Sequence, residues 1–214
     1  MTLFKYPRLG DLYECITGIS TGNDNKYLSK VKKSEFEVPF YKNPGSKKFK
    51  TNPDSYIINH FIEESLSVKD FMVRNKRFLL KEGITCSSMG LPFSACYLPP
   101  NSTFGVNANI FALQKDIYWM LSYLNSSLIT YLVRGVLIRS NMVTSGYISQ
   151  LPIIQLSQDE KQRLDRIAKE TIESKIAENN AIKEIDSIIY KNLSIQESTI
   201  FKIEDFALNL SKRV

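Results

Sequence analysis

Cysteine, histidine and tryptophan are scarce in this sequence: three, one and one among 214 residues. Cys15, Cys86 and Cys96 form no CxxC pair and His60 stands alone, so no zinc spacing can be read and no metal is expected. Any Ser/His or Cys/His mechanism would have to run through His60. That residue lies in YIINHFIEESL among large apolar residues and reads as a packed or surface histidine. Few cysteines, and charges throughout residues 1–20 where a secretory signal needs an unbroken apolar stretch, point to a cytoplasmic protein. Long apolar runs are lacking as well. Residues 117–138, the most apolar stretch, contain Asn125, three serines, Thr130 and Arg134, whereas a membrane span needs about 20 largely apolar residues. Nine glycines and eight prolines are too few for a collagen-like or low-complexity chain, and 43% hydrophobic residues exclude disorder as the main state. The length suits one good-sized domain, or a domain with an appendage.

What is present is positive charge, and it is unevenly placed. Residues 1–155 hold 18 Lys+Arg against 11 Asp+Glu, a balance of +7, and residues 156–214 hold 10 against 11, a balance of −1. Lysines mix with aromatics at Tyr41, Lys42, Lys47, Lys48, Phe49 and Lys50, and a second basic group lies at Lys69, Arg74, Lys76, Arg77 and Lys81. A polyanion is the natural partner of such a surface, since each neutralised phosphate releases counterions. Solubilising lysines are the plainer explanation.

Texture changes at the same place. Up to about Pro152, short apolar runs alternate with turn signals such as Asn43-Pro44-Gly45, Asn52-Pro53-Asp54 and Pro99-Pro100-Asn101. This predicts an irregular, strand-rich α+β domain over residues 1–155, with strands at 12–17, 37–41, 78–80, 83–87, 95–98 and 109–113, where β-branched and aromatic residues gather. A core helix is expected over 115–134, ending near Gly135. Residues 156–214 read as a helical spacer or docking segment. Ser157-Gln158-Asp159-Glu160 is a capping box, and Leu164, Ile167, Ala168, Ile172, Ile176, Ile182, Ile185 and Ile189 recur at helical spacing, interrupted by Glu178-Asn179-Asn180. A second Ser-x-x-Glu, Ser194 to Glu197, opens another short helix. The apolar stripe suits packing on its own domain, or association with a second copy or a partner.

Catalytic signatures are missing. The Asn-Pro pairs, Asn43-Pro44-Gly45-Ser46 and Asn52-Pro53-Asp54-Ser55, lack the aromatic fourth residue with which an amino-methyltransferase stacks a flipped base. No Gly-Lys-Ser/Thr follows Gly18 or Gly22, so there is no P-loop. A nuclease signature assembled from Pro53-Asp54 and Glu173-Ser174-Lys175 would join different regions. No catalytic residue is assigned in this chain.

One segment rises above background. LGDLYECITGISTGNDNKYL, residues 9–28, carries Gly18, Ile19, Thr21, Gly22, Asp24, Tyr27 and Leu28 in a Gly-hydrophobic-x-Thr-Gly-x-Asn/Asp-x-x-Phe/Tyr-Leu turn. It resembles the opening of the TaqI-like specificity domains, the target-recognition domains of restriction-modification adenine-N6 DNA methyltransferases, which are related to those of type I specificity subunits. Further resemblance follows in the same order at 40–60 (FYKNPGSKKFKTNPDSYIINH), 81–113 (KEGITCSSMGLPFSACYLPPNSTFGVNANIFAL) and 121–153 (LSYLNSSLITYLVRG, then GYISQLPI). Cys86 stands where the family usually has tryptophan, and Gly105-Val106-Asn107 where it commonly has Asp-Ser/Thr-Gly.

The resemblance implies a double-stranded DNA recognition module of a methyltransferase or combined restriction-modification enzyme of a phage-defence system. S-adenosylmethionine would then belong to a catalytic domain or partner subunit, and this chain would hold no cofactor. Lys26, Lys42, Lys47, Lys48 and Lys50 are expected at phosphates. Asn43, Ser87, Ser88, Asn107, Asn109, Arg139 and Asn141 are the candidates for base readout. Gly18, Thr21, Gly22 and Asp24 shape the turn, the glycines by permitting positive φ. Asn and Ser also favour loops for backbone reasons alone. A nuclease, or an RNA- or protein-interaction module of a defence system, is the alternative.

Overall fold

In a computed structural model of the chain, the described residues are 3–138, 142–193 and 195–212. The turn of helix α1 (Leu9–Leu12) leads into β1 (Glu14–Ile16) and β2 (Ile19–Ser20). After α2 (Asp24–Tyr27) come β3 (Leu28–Ser29), β4 (Val38–Tyr41), β5 (Ser55–Ile57), α3 (Phe61–Ser67) and β6 (Met72–Val73). Strands β7 (Gly83–Cys86), β8 (Ala95–Leu98), β9 (Thr103–Phe104) and β10 (Asn109–Phe111) complete the strand-rich part. Helices α4 (Ile117–Leu124), α5 (Ser127–Tyr131), α6 (Ser145–Ile148), α7 (Gln158–Ile172), α8 (Glu178–Lys191) and α9 (Glu197–Ser211) follow. The fold is α+β, strands first and helices after.

One sheet has the order β1-β10-β7-β8, antiparallel throughout, with Ile16 opposite Asn109 and Gly83 opposite Leu98. A second, β3-β5-β4-β9, is antiparallel except for the parallel β4–β9 pair, and β2 pairs with β6 alone. Two cores result. Tyr27, Phe40, Tyr41, Phe71, Phe104 and Phe111 fill an aromatic one beneath the second sheet. The other runs from Ile84 and Ile110 through Trp119, Met120, Tyr123 and Leu124 to Leu164, Ile167, Ile185 and Ile189. Charge therefore changes at 155/156 while packing does not. Leu151, Ile153, Ile154 and Leu156 are all buried in this second core, and the Ile153 amide donates to the Pro7 carbonyl at 2.8 Å. Tyr123 Oη donates to the Pro152 carbonyl at 2.7 Å, and Ser122 Oγ to the Leu164 carbonyl at 2.7 Å, tying α4 to the closing segment and to α7.

Several elements differ from expectation for local reasons. Residues 78–80 are not a strand: Lys76–Phe78 make a 3-10 turn after Asn75, whose left-handed φ of 53° lets its side chain donate to the Thr17 carbonyl. The first strand starts late because Leu12 ends α1 and Tyr13 caps it, the turn being held by the Asp11 carboxylate accepting the Arg8 amide at 3.0 Å. The expected helix over 115–134 is broken at Asn125; Ser126 then caps α5 by accepting the Ile129 amide, and Leu132–Leu137 wind into a π-helix. In the C-terminal segment the break falls at 173–177, with Ser174 at a φ of 61°. Glu178-Asn179-Asn180 instead open α8, where an acid suits the positive end of the helix dipole. The Ser157 box forms as expected, Ser157 Oγ accepting the Glu160 amide and the Glu160 carboxylate accepting the Ser157 amide. Helix α9 is 15 residues long rather than short, its N-cap is Gln196, and Ser194 lies outside the described residues.

Candidate nucleic-acid interface

The Thr21–Gly22–Asp24 turn is built from its own side chains. Thr21 Oγ1 donates to Asp24 Oδ1, and Asn23 caps α2 by accepting the Lys26 amide at 3.2 Å. Gly22 has a φ of 66°, which glycine adopts at no steric cost. Gly18 serves a different purpose from the positive-φ role expected of it: a Cβ there would stand 2.2 Å from the Phe104 carbonyl oxygen. That close approach lets the Gly18 amide donate to the Gly105 carbonyl at 2.7 Å, while the Gly105 amide donates to Tyr41 at 2.8 Å. The turn, the end of β4 and the Gly105 bend are thereby one unit. A cleft of about 340 Å³ lies among them, lined by Ile19, Thr21, Asp24, Phe40, Lys42 and Val106.

Loop 41–50 is fastened to this unit from the other side. Asp54 Oδ2 accepts the Lys42 and Asn43 amides at 2.7 and 3.1 Å. Asn43 Oδ1 accepts the Gly45 amide and, across 45 residues of chain, the Ser88 amide at 3.1 Å. Ser94 Oγ donates to the Gly45 carbonyl at 2.6 Å, and the Val143 amide to the Ser88 carbonyl at 2.7 Å. Loops 41–50 and 87–94 are thus laced together at their bases. A Cβ on Gly45 or Gly90 would meet nothing within 4 Å, so both glycines stand in open space.

The expected phosphate residues separate into two kinds. Lys26, Lys42, Lys47 and Lys50 are exposed. Lys26 Nζ donates to Tyr27 Oη at 2.9 Å and lies over that ring, whereas Lys42 pairs with Asp24. Burial opposes ionisation of Asp24, but hydrogen bonds from Lys42 and Thr21 and the charges of Lys42 and Lys30 hold its carboxyl below the usual range. Lys48 is different. Its ammonium is enclosed, donates to the Asn125 carbonyl at 3.0 Å and has its pKa lowered by burial, against the opposing pull of Glu178 and Asp186. It is an internal tie, and we correct its assignment accordingly.

The readout candidates separate as sharply. Ser87, Asn107 and Asn109 are buried. Ser87 Oγ accepts the Ser94 amide at 3.1 Å; the Asn107 amide group donates to Thr85 Oγ1 at 2.7 Å and the Cys86 carbonyl at 3.0 Å; Asn109 Nδ2 donates to the Asn107 carbonyl at 2.7 Å. These side chains hold strand ends and loop bases, so they leave the readout set because a buried, engaged amide cannot reach a base edge. Asn43 and Ser88 stay, half-buried, with Asn43 Nδ2 and Ser88 Oγ unpartnered among the described residues. Arg139 and Asn141 lie outside the described residues. Sequence reasoning missed Asp54 and Ser94, which shape the loops; the turn-forming Asn52-Pro53-Asp54 was the available signal for the first.

Burial pushes the Cys15 thiol up to about 12 and raises those of Cys86 and Cys96 too, so all three favour the inert protonated form. His60 is a surface residue facing Glu64 at 3.4 Å. Among the described residues no three His, Cys, Asp or Glu side chains are grouped as a metal would require, and no helix is long and apolar enough to cross a membrane. No family model matches the chain, and no curated protein matches it.

Proposed function

We propose that this chain is the sequence-specific double-stranded DNA recognition module of a restriction-modification adenine-N6 DNA methyltransferase, or of an enzyme combining methylation with cleavage. Base flipping and methyl transfer from S-adenosylmethionine would be carried by a catalytic domain or subunit outside these residues. The observation that carries the reading is the meeting of the resembling segments. The turn at 18–24, the basic loop at 41–50, the loop at 87–94 and the Gly105 bend are joined by backbone and side-chain hydrogen bonds into one cluster. Lys26, beside the turn, and Lys42, Lys47 and Lys50, on the loop, are exposed.

On this reading the lysines fix register on the phosphates. Asn43 Nδ2 and Ser88 Oγ, at the base of the two laced loops, supply donors toward base edges in the major groove. Selection from a randomised duplex library at physiological salt tests the proposal, followed by anisotropy titration of enriched sequences against scrambled ones. Enrichment of a short motif is expected. Absence of duplex binding, or a preference for single-stranded RNA over duplex, would overturn it in favour of an RNA or protein-interaction role.

A further inference from the structure

Three cations of the second basic group, Lys69, Arg74 and Lys76, take no part in the cluster described above and share a cleft of their own. Between α3 and β6 lies an open cleft of about 520 Å³ whose charged lining residues are all cations: Lys69, Arg74 and Lys76. Ser65 and Ser67 line it as well. All three cations are exposed, and none forms an ion pair among the described residues; Arg74 makes only a 3.3 Å contact with the Met72 sulfur. The acids of the same stretch, Glu63, Glu64 and Asp70, do not line the cleft, and Glu64 faces His60. A concave surface of one sign focuses its field on an incoming anion.

The segment bearing these cations is anchored to the Thr21–Gly22–Asp24 turn. Val73 and Met72 pair with Ile19 and Ser20. Asn75 Nδ2 donates to the Thr17 carbonyl at 2.8 Å, Asp70 packs where a Gly22 Cβ would stand, and the buried Phe71 ring meets Tyr27 edge-on at 4.7 Å. The turn is therefore in contact with two cation-bearing segments, the end of β4 followed by Lys42, and β6 flanked by Lys69, Arg74 and Lys76. Their spacing cannot drift independently.

We propose that the α3–β6 cleft receives backbone phosphates of the bound duplex, as a second phosphate-contact surface fixed to the same turn as the first. This rests on the reading of the chain as a duplex-binding module. The phosphodiester backbone fits better than a small anion because the cations are spread along an open cleft rather than converged in an enclosed pocket. Lys69, Arg74 and Lys76 then add register and affinity without sequence information.

Anisotropy titrations of a fluorescein-labelled duplex at several salt concentrations, with wild type, the Lys69→Gln/Arg74→Gln/Lys76→Gln triple variant and a Lys183→Gln/Lys191→Gln/Lys202→Gln control on the C-terminal helices, test this. The cleft variant should lower the slope of log K against log salt by about 2.7, from ~0.9 for each of three phosphates, with thermal stability and preferred sequence unchanged. The control should leave the slope as in wild type. If wild type binds duplex and the cleft variant keeps the full slope, or the control loses as much, the cleft assignment fails while the recognition reading stands. Failure of wild type to bind duplex removes both. Calorimetric binding of inorganic phosphate that the cleft variant loses, with an unaltered duplex slope, would make this a small-anion site and overturn the proposal.

Discussion

The Lys48 ammonium donates to the Asn125 carbonyl at 3.0 Å, joining the basic loop to the end of α4 across 77 residues of chain. Asp186 and Glu178 of α8 supply negative charge nearby. Removing the charged donor leaves the Asn125 carbonyl without this partner, and a hydrogen bond to a charged group is worth roughly 1.5–3 kcal/mol. Lys48→Ala should therefore lower stability by that order, whereas Lys47→Ala and Lys50→Ala should each change it by less than about 0.5 kcal/mol. Affinity should divide the other way, with Lys47→Ala and Lys50→Ala each lowering the salt slope by about 0.9. Urea unfolding and salt-dependent titration of the three variants check both halves. A Lys48→Ala protein as stable as wild type would remove the tie.

Asn125 makes a second junction. Its side chain pairs with the backbone of Ala95 in both directions, accepting the amide at 3.0 Å and donating to the carbonyl at 2.8 Å, and Nδ2 also reaches the Leu121 carbonyl. Asn125→Ala leaves the buried Ala95 amide unpaired, which costs about 1–3 kcal/mol, while the Ala95 carbonyl keeps the Phe49 amide at 2.8 Å. Asn125→Asp retains an acceptor but loses the donor and adds a buried charge, so it should be no better than alanine. Unfolding midpoints of the two variants decide this; a stable aspartate variant would contradict the two-way pairing.

Local chemistry was legible in the sequence where neighbours along the chain decide it. The Ser157 capping box, β8 over its full expected range and the Thr21–Gly22–Asp24 turn all follow from adjacent residues. What could not be read is what distant segments impose. Nothing around residue 125 says that Ala95 will claim its side chain and end the helix. Lys48 carries the same signal in sequence as Lys47 and Lys50, and only the arrival of Asn125 and α8 encloses it. Asn109 is expected on a strand and still drawn into the readout set by its side-chain chemistry; pairing of β10 with β1 and β7 buries it, and Asn107 is buried beside it with its amide on Thr85 and Cys86. In the candidate site, sequence located the loops and misassigned individual side chains wherever burial is decided by remote packing.

The charge boundary at 155/156 makes truncation a sharp experiment. Leu164, Ile167, Ile185, Ile188 and Ile189 are buried in the core shared with Trp119 and Tyr123. Burial of each aliphatic side chain is worth about 1.5–3 kcal/mol, so losing all five approaches the whole net stability of a domain, about 5–15 kcal/mol. A chain ending at Gln155 should be insoluble or molten, with lost near-ultraviolet dichroism. A soluble, cooperatively unfolding product would show that the helices are dispensable to the first part.

Two glycines of the candidate interface should respond differently to alanine. At Gly18 the new Cβ would be 2.2 Å from the Phe104 carbonyl oxygen, so backbone must move, whereas at Gly45 it meets nothing and only the φ of 66° is unfavourable. Left-handed backbone costs a non-glycine residue about 1–2 kcal/mol. Gly45→Ala should lose about that much, and Gly18→Ala distinctly more, because it also separates the turn from Gly105. Thermal unfolding of both variants gives the order; equal losses would mean that the close approach at Gly18 relaxes freely.

Asp186 should leave a mark on the pH dependence of stability. Burial raises its pKa from 3.8 to about 6, opposed by hydrogen bonding from Ser127 and by the charge of Lys48, and aided by Glu204. Between pH 3.8 and about 6 the folded protein keeps a proton that the unfolded chain has released. Stability therefore falls as pH rises through that window, by an amount on the order of 2–3 kcal/mol for a shift of this size, and the loss is complete above it. Asp24 and Glu160, whose pKa values are lowered, act in the opposite sense, losing their contribution as pH falls. They are common to wild type and variant, so a difference measurement isolates Asp186. Asp186→Asn retains an acceptor for the Ser127 amide, which Asp186 Oδ1 now takes at 2.9 Å, and cannot titrate. Urea midpoints across this range should then show wild type losing stability relative to Asp186→Asn as pH rises. Parallel curves for the two proteins would mean that the Asp186 carboxyl ionises at its ordinary pH and that its enclosure beside Lys48 has no energetic consequence.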